Sequence, residues 1–182
     1  NHEATGEGSY IFGFEESYGY LKGTYARDKD AVVATMLICE MTAYYHAKNM
    51  TLYDALEGLY AKYGFCLEQN VEIYMEGVEG PAKMAALLDG MRKNTPTELG
   101  GVKVVTFGDY KEQTFTNVAN GEKTSTNLPK SNVLSFKLEN GDVVIVRPSG
   151  TEPKVKFYFM VSAQDQATAL ANIEAYKKTL NI

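Results

Sequence analysis

Val133-Leu134-Ser135-Phe136-Lys137-Leu138-Glu139-Asn140-Gly141-Asp142-Val143-Val144-Ile145-Val146-Arg147 places an apolar run rich in β-formers on each side of an Asn-Gly pair. Runs of this kind flanking Asn-Gly are the strongest short-range sign of a β-hairpin, so strands are predicted over 133–139 and 142–147. The C-terminal arm continues through Arg147-Pro148-Ser149-Gly150-Thr151-Glu152-Pro153-Lys154 into a further predicted strand, Lys154–Val161. An antiparallel sheet is therefore the expected core of this half of the chain.

Working outward, Leu67, Gln69, Val71, Ile73 and Met75 alternate with Glu68, Asn70, Glu72, Tyr74 and Glu76, the period of a half-buried strand. Gly80-Pro81 opens a helix whose inner face carries Met84, Leu87, Leu88 and Met91, and Thr95-Pro96 stops it. Val102–Phe107 reads as another strand. Residues 109–132 are polar and turn-rich, an irregular hairpin or a lid. Ser162 is expected to cap a last amphipathic helix that turns Leu170, Ile173 and Leu180 inward. The order from residue 67 is thus strand, helix, strand, hairpin, strand, helix: an α+β domain with an antiparallel sheet and its helices on one face.

The first 66 residues read differently. Tyr10–Phe14 is a short strand, followed by a glycine- and aromatic-rich loop. Asp30 is an N-cap for a helix from Ala31 to about Lys48 that is apolar nearly all round, which predicts a buried helix with partners on several sides. Thr51 and Asp54 form a capping box for a second helix ending before Gly64. Such a segment buries its own apolar helix poorly, so residues 1–66 are expected to be the tail of an α/β domain, and 67–182 a second domain.

Composition narrows the function classes. With 45% apolar and 23% charged residues the chain has the balance of an ordinary globular protein rather than a disordered one. A net charge of −5 argues against non-specific nucleic-acid binding and requires a local site for any anionic ligand. No apolar run approaches the length of a membrane span. The opening Asn1-His2-Glu3-Ala4-Thr5-Gly6 is polar and is not expected to be a signal peptide. Cys39 and Cys66 have no metal-ligand spacing and are expected to be reduced thiols of a cytoplasmic protein. His2 and His46 do not cluster with acids, so no metal site is expected.

Two stretches carry chemistry. In Arg147–Lys154, Arg147 offers a bidentate guanidinium, Ser149 and Thr151 add hydroxyls, Gly150 permits φ > 0 so that backbone N–H groups can converge on an anion, and Lys154 adds a charge. The residue types alone favour a plain tight connection between strands. In Phe14-Glu15-Glu16-Ser17-Tyr18-Gly19-Tyr20, followed by Arg27-Asp28-Lys29-Asp30, carboxylates suited to sugar hydroxyls sit among aromatics suited to a ring face. Here too a surface turn with solvated acids accounts for the composition.

The strings themselves resemble the phosphoglucomutase/phosphomannomutase family of α-D-phosphohexomutases. R-P-S-G-T-E-P is similar to that family's C-terminal phosphate-binding loop, and F-E-E-S-Y-G-Y with R-D-K-D to its sugar-binding loop. The resemblance spans nearly the whole chain. It implies that residues 1–66 end the family's third domain and that 67–182 form its fourth. It implies Glu15 and Ser17 as sugar ligands, and Arg147, Ser149, Gly150 and Thr151 as holders of the phosphate that is not being transferred. It implies Lys29 as a substrate and phosphate contact that assists proton transfer. Family chemistry moves a phosphate between C1 and C6 of a hexose through a phosphoserine and a bisphosphate intermediate such as glucose 1,6-bisphosphate. The phosphoserine loop and the Mg²⁺ loop are not among these residues, so the 182-residue chain by itself is expected to be inactive, with Mg²⁺ bound outside it and the N-terminal domains of the same enzyme as partners. Phe14 stands where many members have glycine. Tyr18-Gly19-Tyr20 replaces the histidine of dual-specificity enzymes, which favours glucose over mannose. Mannose- or pentose-phosphate specificity, a non-catalytic phosphosugar-binding module and a protein-interaction domain with vestigial loops are the alternatives.

Overall fold

The computed structural model describes residues 5–15 and 18–182. The chain divides into two units, Asn1–Lys62 and Tyr63–Ile182. The second is built on a sheet in which every neighbouring pair is antiparallel. Its strands are β3 (Phe65–Tyr74), β4 (Glu98–Leu99), β5 (Val102–Asp109), β6 (Thr114–Asn117), β7 (Lys123–Ser125), β8 (Leu134–Leu138), β9 (Val143–Pro148) and β10 (Lys154–Ala163). Their order across the sheet is β3-β10-β9-β8-β5-β6-β7, with β4 paired to β5. The polar segment 109–132 is no lid: β6 and β7 form a hairpin that widens the sheet beyond β5.

Alternation dictates the core. Leu134, Phe136 and Leu138 on β8, Val144 and Val146 on β9, and Val155, Phe157, Phe159 and Val161 on β10 are buried, while their neighbours in sequence are largely not. Two helices cover that face. One is α3 (Gly80–Lys93), with Leu88 and Met91 buried; the other is α4 (Gln166–Leu180), with Ala169, Ile173, Tyr176 and Leu180 buried. Each such large aliphatic or aromatic side chain contributes about 1.5–3 kcal/mol on full burial. The hairpin expected at Asn140-Gly141 joins β8 to β9. Gly141 N–H donates to Leu138 O at 3.0 Å, and of the turn residues only Gly141 takes a positive φ, +91°. This is a longer loop with the glycine in the left-handed position, not a two-residue turn.

Two details of the last helix differ from the sequence reading. Ser162 lies inside β10, and the cap is Asp165, whose Oδ1 accepts from Thr168 N at 2.8 Å. Leu170 is 42% exposed; Tyr176 takes the inward place instead. Ten consecutive pairings between β3 and β10 carry the strand past Val161 to Ala163, which is why the helix starts later.

In the first unit, β1 (Gly13–Phe14) pairs antiparallel with β2 (Tyr20–Leu21). Helix α1 (Ala31–His46) starts at the Asp30 cap, which accepts from Val32 N at 2.7 Å. Helix α2 (Leu52–Tyr63) starts at a reciprocal Thr51–Asp54 capping box. The expected burial of α1 does not occur: none of its residues is buried, and Val32 is 79% exposed. The described strands of this unit are two residues long and cannot cover an apolar helix on several sides.

Candidate functional site

The two candidate stretches lie in different units. In the first unit the β1–β2 pairing brings Glu15 beside Gly19: Glu15 N–H donates to Gly19 O at 2.9 Å. Asp30 N–H donates to Tyr20 O at 2.9 Å, which draws Arg27-Asp28-Lys29 alongside this pair. The result is a cleft of about 230 Å³ lined by Glu15, Gly19, Arg27, Asp28 and Lys29 among others. Lys29 Nζ sits 2.9 Å from Asp28 Oδ1 and 3.7 Å from Glu15 Oε2. Its hydrogen bond and attraction to Asp28, with the Glu15 charge adding, hold the ammonium above the ordinary lysine value; the same contact holds Asp28 below the usual carboxylate range. Lys29 therefore keeps its proton at neutral pH and can donate hydrogen bonds. Tyr25 and Asp30 are also hydrogen-bonded, which together with the cap role accounts for Asp30 structurally.

Ser17, expected to contact sugar, lies outside the described residues, as does Glu16. Tyr18 follows at φ +63° with its side chain 89% exposed. Phe12 lies between Phe14 and Tyr20, with ring centroids 6.1 and 6.2 Å away, so the loop is backed by an aromatic cluster. Gly19 also lines this cleft, and the sequence reading does not single it out. A Cβ there would stand 2.3 Å from Lys29 Cδ and 2.7 Å from Glu15 Cδ: the two side chains reach their positions across a bare backbone. Only the spacing Glu15-x-x-x-Gly19 hints at this, and weakly.

In the second unit, residues 149–153 connect β9 to β10. Ser149 N–H donates to Lys154 O at 2.8 Å, closing the connection at its base. Ser149 Oγ accepts from Thr151 N at 3.3 Å and Glu152 N at 3.2 Å, so one hydroxyl organises the turn. Arg147 is exposed at the end of β9, opposite Lys156 on β10, and its guanidinium has no ion-pair partner among the described residues. Gly150 does not use the positive φ its residue type allows, but a Cβ there would meet nothing within 4 Å, so the loop surface is open at that point.

Lys154 is not available as a phosphate ligand. Its Nζ is 2.8 Å from Glu152 Oε2 and 2.9 Å from Glu72 Oε2, and the side chain is 8% exposed. Those two carboxylates push its pKa up. Glu72 and Tyr74 on β3 give no sign in the sequence of being site neighbours, since only the fold brings them beside a residue some 80 positions away. Among the described residues no three His, Cys, Asp or Glu side chains are grouped so that they could hold a metal ion. No helix among the described residues is long and apolar enough to cross a membrane.

Comparison with known proteins places both units in one family. Residues 78–176 match the family described as phosphoglucomutase/phosphomannomutase, C-terminal domain. Residues 2–63 match phosphoglucomutase/phosphomannomutase, alpha/beta/alpha domain III. A phosphoglucomutase of Staphylococcus haemolyticus is 34% identical over 157 residues, covering 86% of this chain and 28% of the relative. One of Staphylococcus aureus is 38% identical over 148 residues, covering 81% and 27%. The chain therefore spans little more than a quarter of the length of these relatives. The crystal structure of the phosphoglucomutase parafusin from Paramecium, in its open form, shares the fold at a TM-score of 0.58 and 21% identity, over 91% of this chain and 29% of that one.

Proposed function

The chain belongs to the phosphoglucomutase/phosphomannomutase family, and we propose that it supplies sugar and phosphate recognition to a phosphoglucomutase-like enzyme interconverting hexose 1-phosphate and hexose 6-phosphate. On this reading residues 1–66 complete a third domain and 67–182 form a fourth. Glu15 and Ser17 take the sugar hydroxyls. Lys29 donates to the substrate or its phosphate, in keeping with its raised pKa. Arg147, Ser149, Gly150 and Thr151 grip the phosphate that is not being transferred. The single observation that carries the reading is the exposed guanidinium of Arg147, without an ion-pair partner among the described residues, at the mouth of a hydroxyl-bearing loop.

Transfer through a phosphoserine and glucose 1,6-bisphosphate, and the Mg²⁺ that would neutralise the moving phosphoryl group, belong to other domains of the same cytoplasmic enzyme. The 182 residues alone are then inactive as a mutase. The curated relatives' name and the Tyr18-Gly19-Tyr20 sequence both favour glucose.

The test is an NMR titration of the chain with glucose 1,6-bisphosphate beside Arg147→Ala. Millimolar or tighter binding in the parent chain that disappears in the variant supports the proposal. Equal binding in both would sink the phosphate-loop assignment, and no binding in the parent chain would sink the recognition role.

A further inference from the structure

We infer that Lys154 is a positioning residue: its ammonium clamps the Ser149–Pro153 loop to β3 and cancels the Glu152 charge beside the phosphate site. The inference rests on the phosphate-loop reading above but concerns a residue that reading does not use.

The Lys154 head group joins three parts of the fold. It pairs with Glu152 in the loop and with Glu72 on β3, it donates to Tyr74 OH at 3.3 Å, and it lies 5.2 Å from the centroid of the Tyr74 ring. Backbone bonds run parallel to this clamp. Met75 N–H donates to Pro153 O at 2.7 Å, and Lys154 N–H to Glu152 O at 2.8 Å. Glu152 is thereby fixed by side chain and backbone together, and Ser149 Oγ in turn receives the Glu152 N–H.

Charge makes the second half of the argument. Glu152 follows Thr151 directly, so a free carboxylate there would oppose a phosphate dianion in the same loop. Lys154 neutralises it from the sheet side, leaving Arg147 as the outward-facing cation of the motif. Lys156, on the same face of β10, reaches Glu72 Oε1 at 3.5 Å and leaves the other Glu72 oxygen to Lys154. A buried ammonium that loses one of two carboxylates, or carboxylates that lose their ammonium, are costly arrangements, so the loop conformation and the charge balance stand or fall together.

The experiment uses the 182-residue chain, its Lys154→Met and Lys154→Arg variants, and inorganic phosphate and glucose 6-phosphate as probes. Backbone ¹⁵N relaxation of residues 149–153 reports loop order without ligand, and chemical-shift titration reports affinity. Lys154→Met should make the loop mobile and weaken both probes by about tenfold, while amide signals of Phe157 and Val144 stay in place. Lys154→Arg, which can still reach both carboxylates, should restore order and affinity; a purely packing role would not be rescued this way. If Lys154→Met does not fold, Glu152→Gln cuts the loop side of the clamp at an exposed position and should itself loosen residues 149–153. Unchanged loop relaxation, or unchanged affinity with a loosened loop, overturns the inference while leaving the proposed function standing. A parent chain that binds neither probe overturns the proposed function and with it the positioning role, even if the loop still loosens.

Discussion

Glu15 and Lys29 meet across Gly19, with Lys29 Nζ 3.7 Å from Glu15 Oε2 and no Gly19 side chain between them. Gly19→Ala would put a methyl group into the path of both stems. Each stem is flexible, so the unit should stay folded with the pair forced apart. The expected outcome is about tenfold weaker glucose 1,6-bisphosphate binding by titration, with circular dichroism unchanged. Undiminished binding would show that the pair does not shape the site.

Arg147→Ala should separate binding from stability. The side chain is exposed without an ion-pair partner among the described residues, so its removal should change unfolding free energy by less than about 0.5 kcal/mol. A lost charge-assisted fork to phosphate should weaken phosphosugar binding by about 10–100-fold. Urea unfolding and titration on the same sample give both numbers.

Asp142 should behave the other way. It is 1% exposed and accepts from Tyr176 OH at 2.6 Å, Asn140 Nδ2 at 2.8 Å and Ser162 N at 2.9 Å. Asp142→Ala leaves these donors without an acceptor in the core and should cost about 2–4 kcal/mol. Denaturant midpoints measure it, and a change below about 0.5 kcal/mol would mean water replaces the carboxylate without loss.

The pH dependence of stability has two arms. Burial and the hydrogen bond to Asp142 push the Tyr176 hydroxyl up to about 12. A group whose folded pKa is raised contributes stability below its unfolded value and loses it as pH rises from about 10 through the folded value. The alkaline decline should flatten in Tyr176→Phe. Asp165 is held below the usual carboxylate range by the Thr168 N–H, so its contribution is full above about pH 4 and is lost as pH falls through the lowered folded value. Melting curves of Asp165→Ala and the parent chain should converge at low pH and diverge at neutral pH.

Much of the second unit is legible in the sequence because local signals and global packing agree there. The alternation in Leu67–Met75, the Asn140-Gly141 pair and Pro81 each mark a feature that tertiary contact then reinforces. Where a residue type suits two neighbouring positions, the sequence misleads: Ser162 and Asp165 both suit a cap, and only the length of the β3–β10 ladder decides between them. The apolar circumference of α1 predicts burial, yet burial depends on what surrounds a helix rather than on its own composition. In the candidate site, Arg147 and Glu15 are singled out by the strings that contain them, since their residue types suit an ordinary turn as well. The partners of Lys154 and the bare backbone at Gly19 do not, since one is a long-range contact and the other a missing atom.

The place of β3 at the sheet edge bears on how the chain is made. Among the described residues its sole ladder neighbour is β10, and Cys66 meets Ser162 across 96 residues of sequence. During synthesis from the N-terminus, β3 emerges first and must wait, half apolar and unpaired, until β10 has left the ribosome. Formation of this unit is therefore gated by its C-terminal residues. Contacts of such long separation slow the closing step, and nascent chains halted before residue 154 should hold β3 as an open edge available to chaperones.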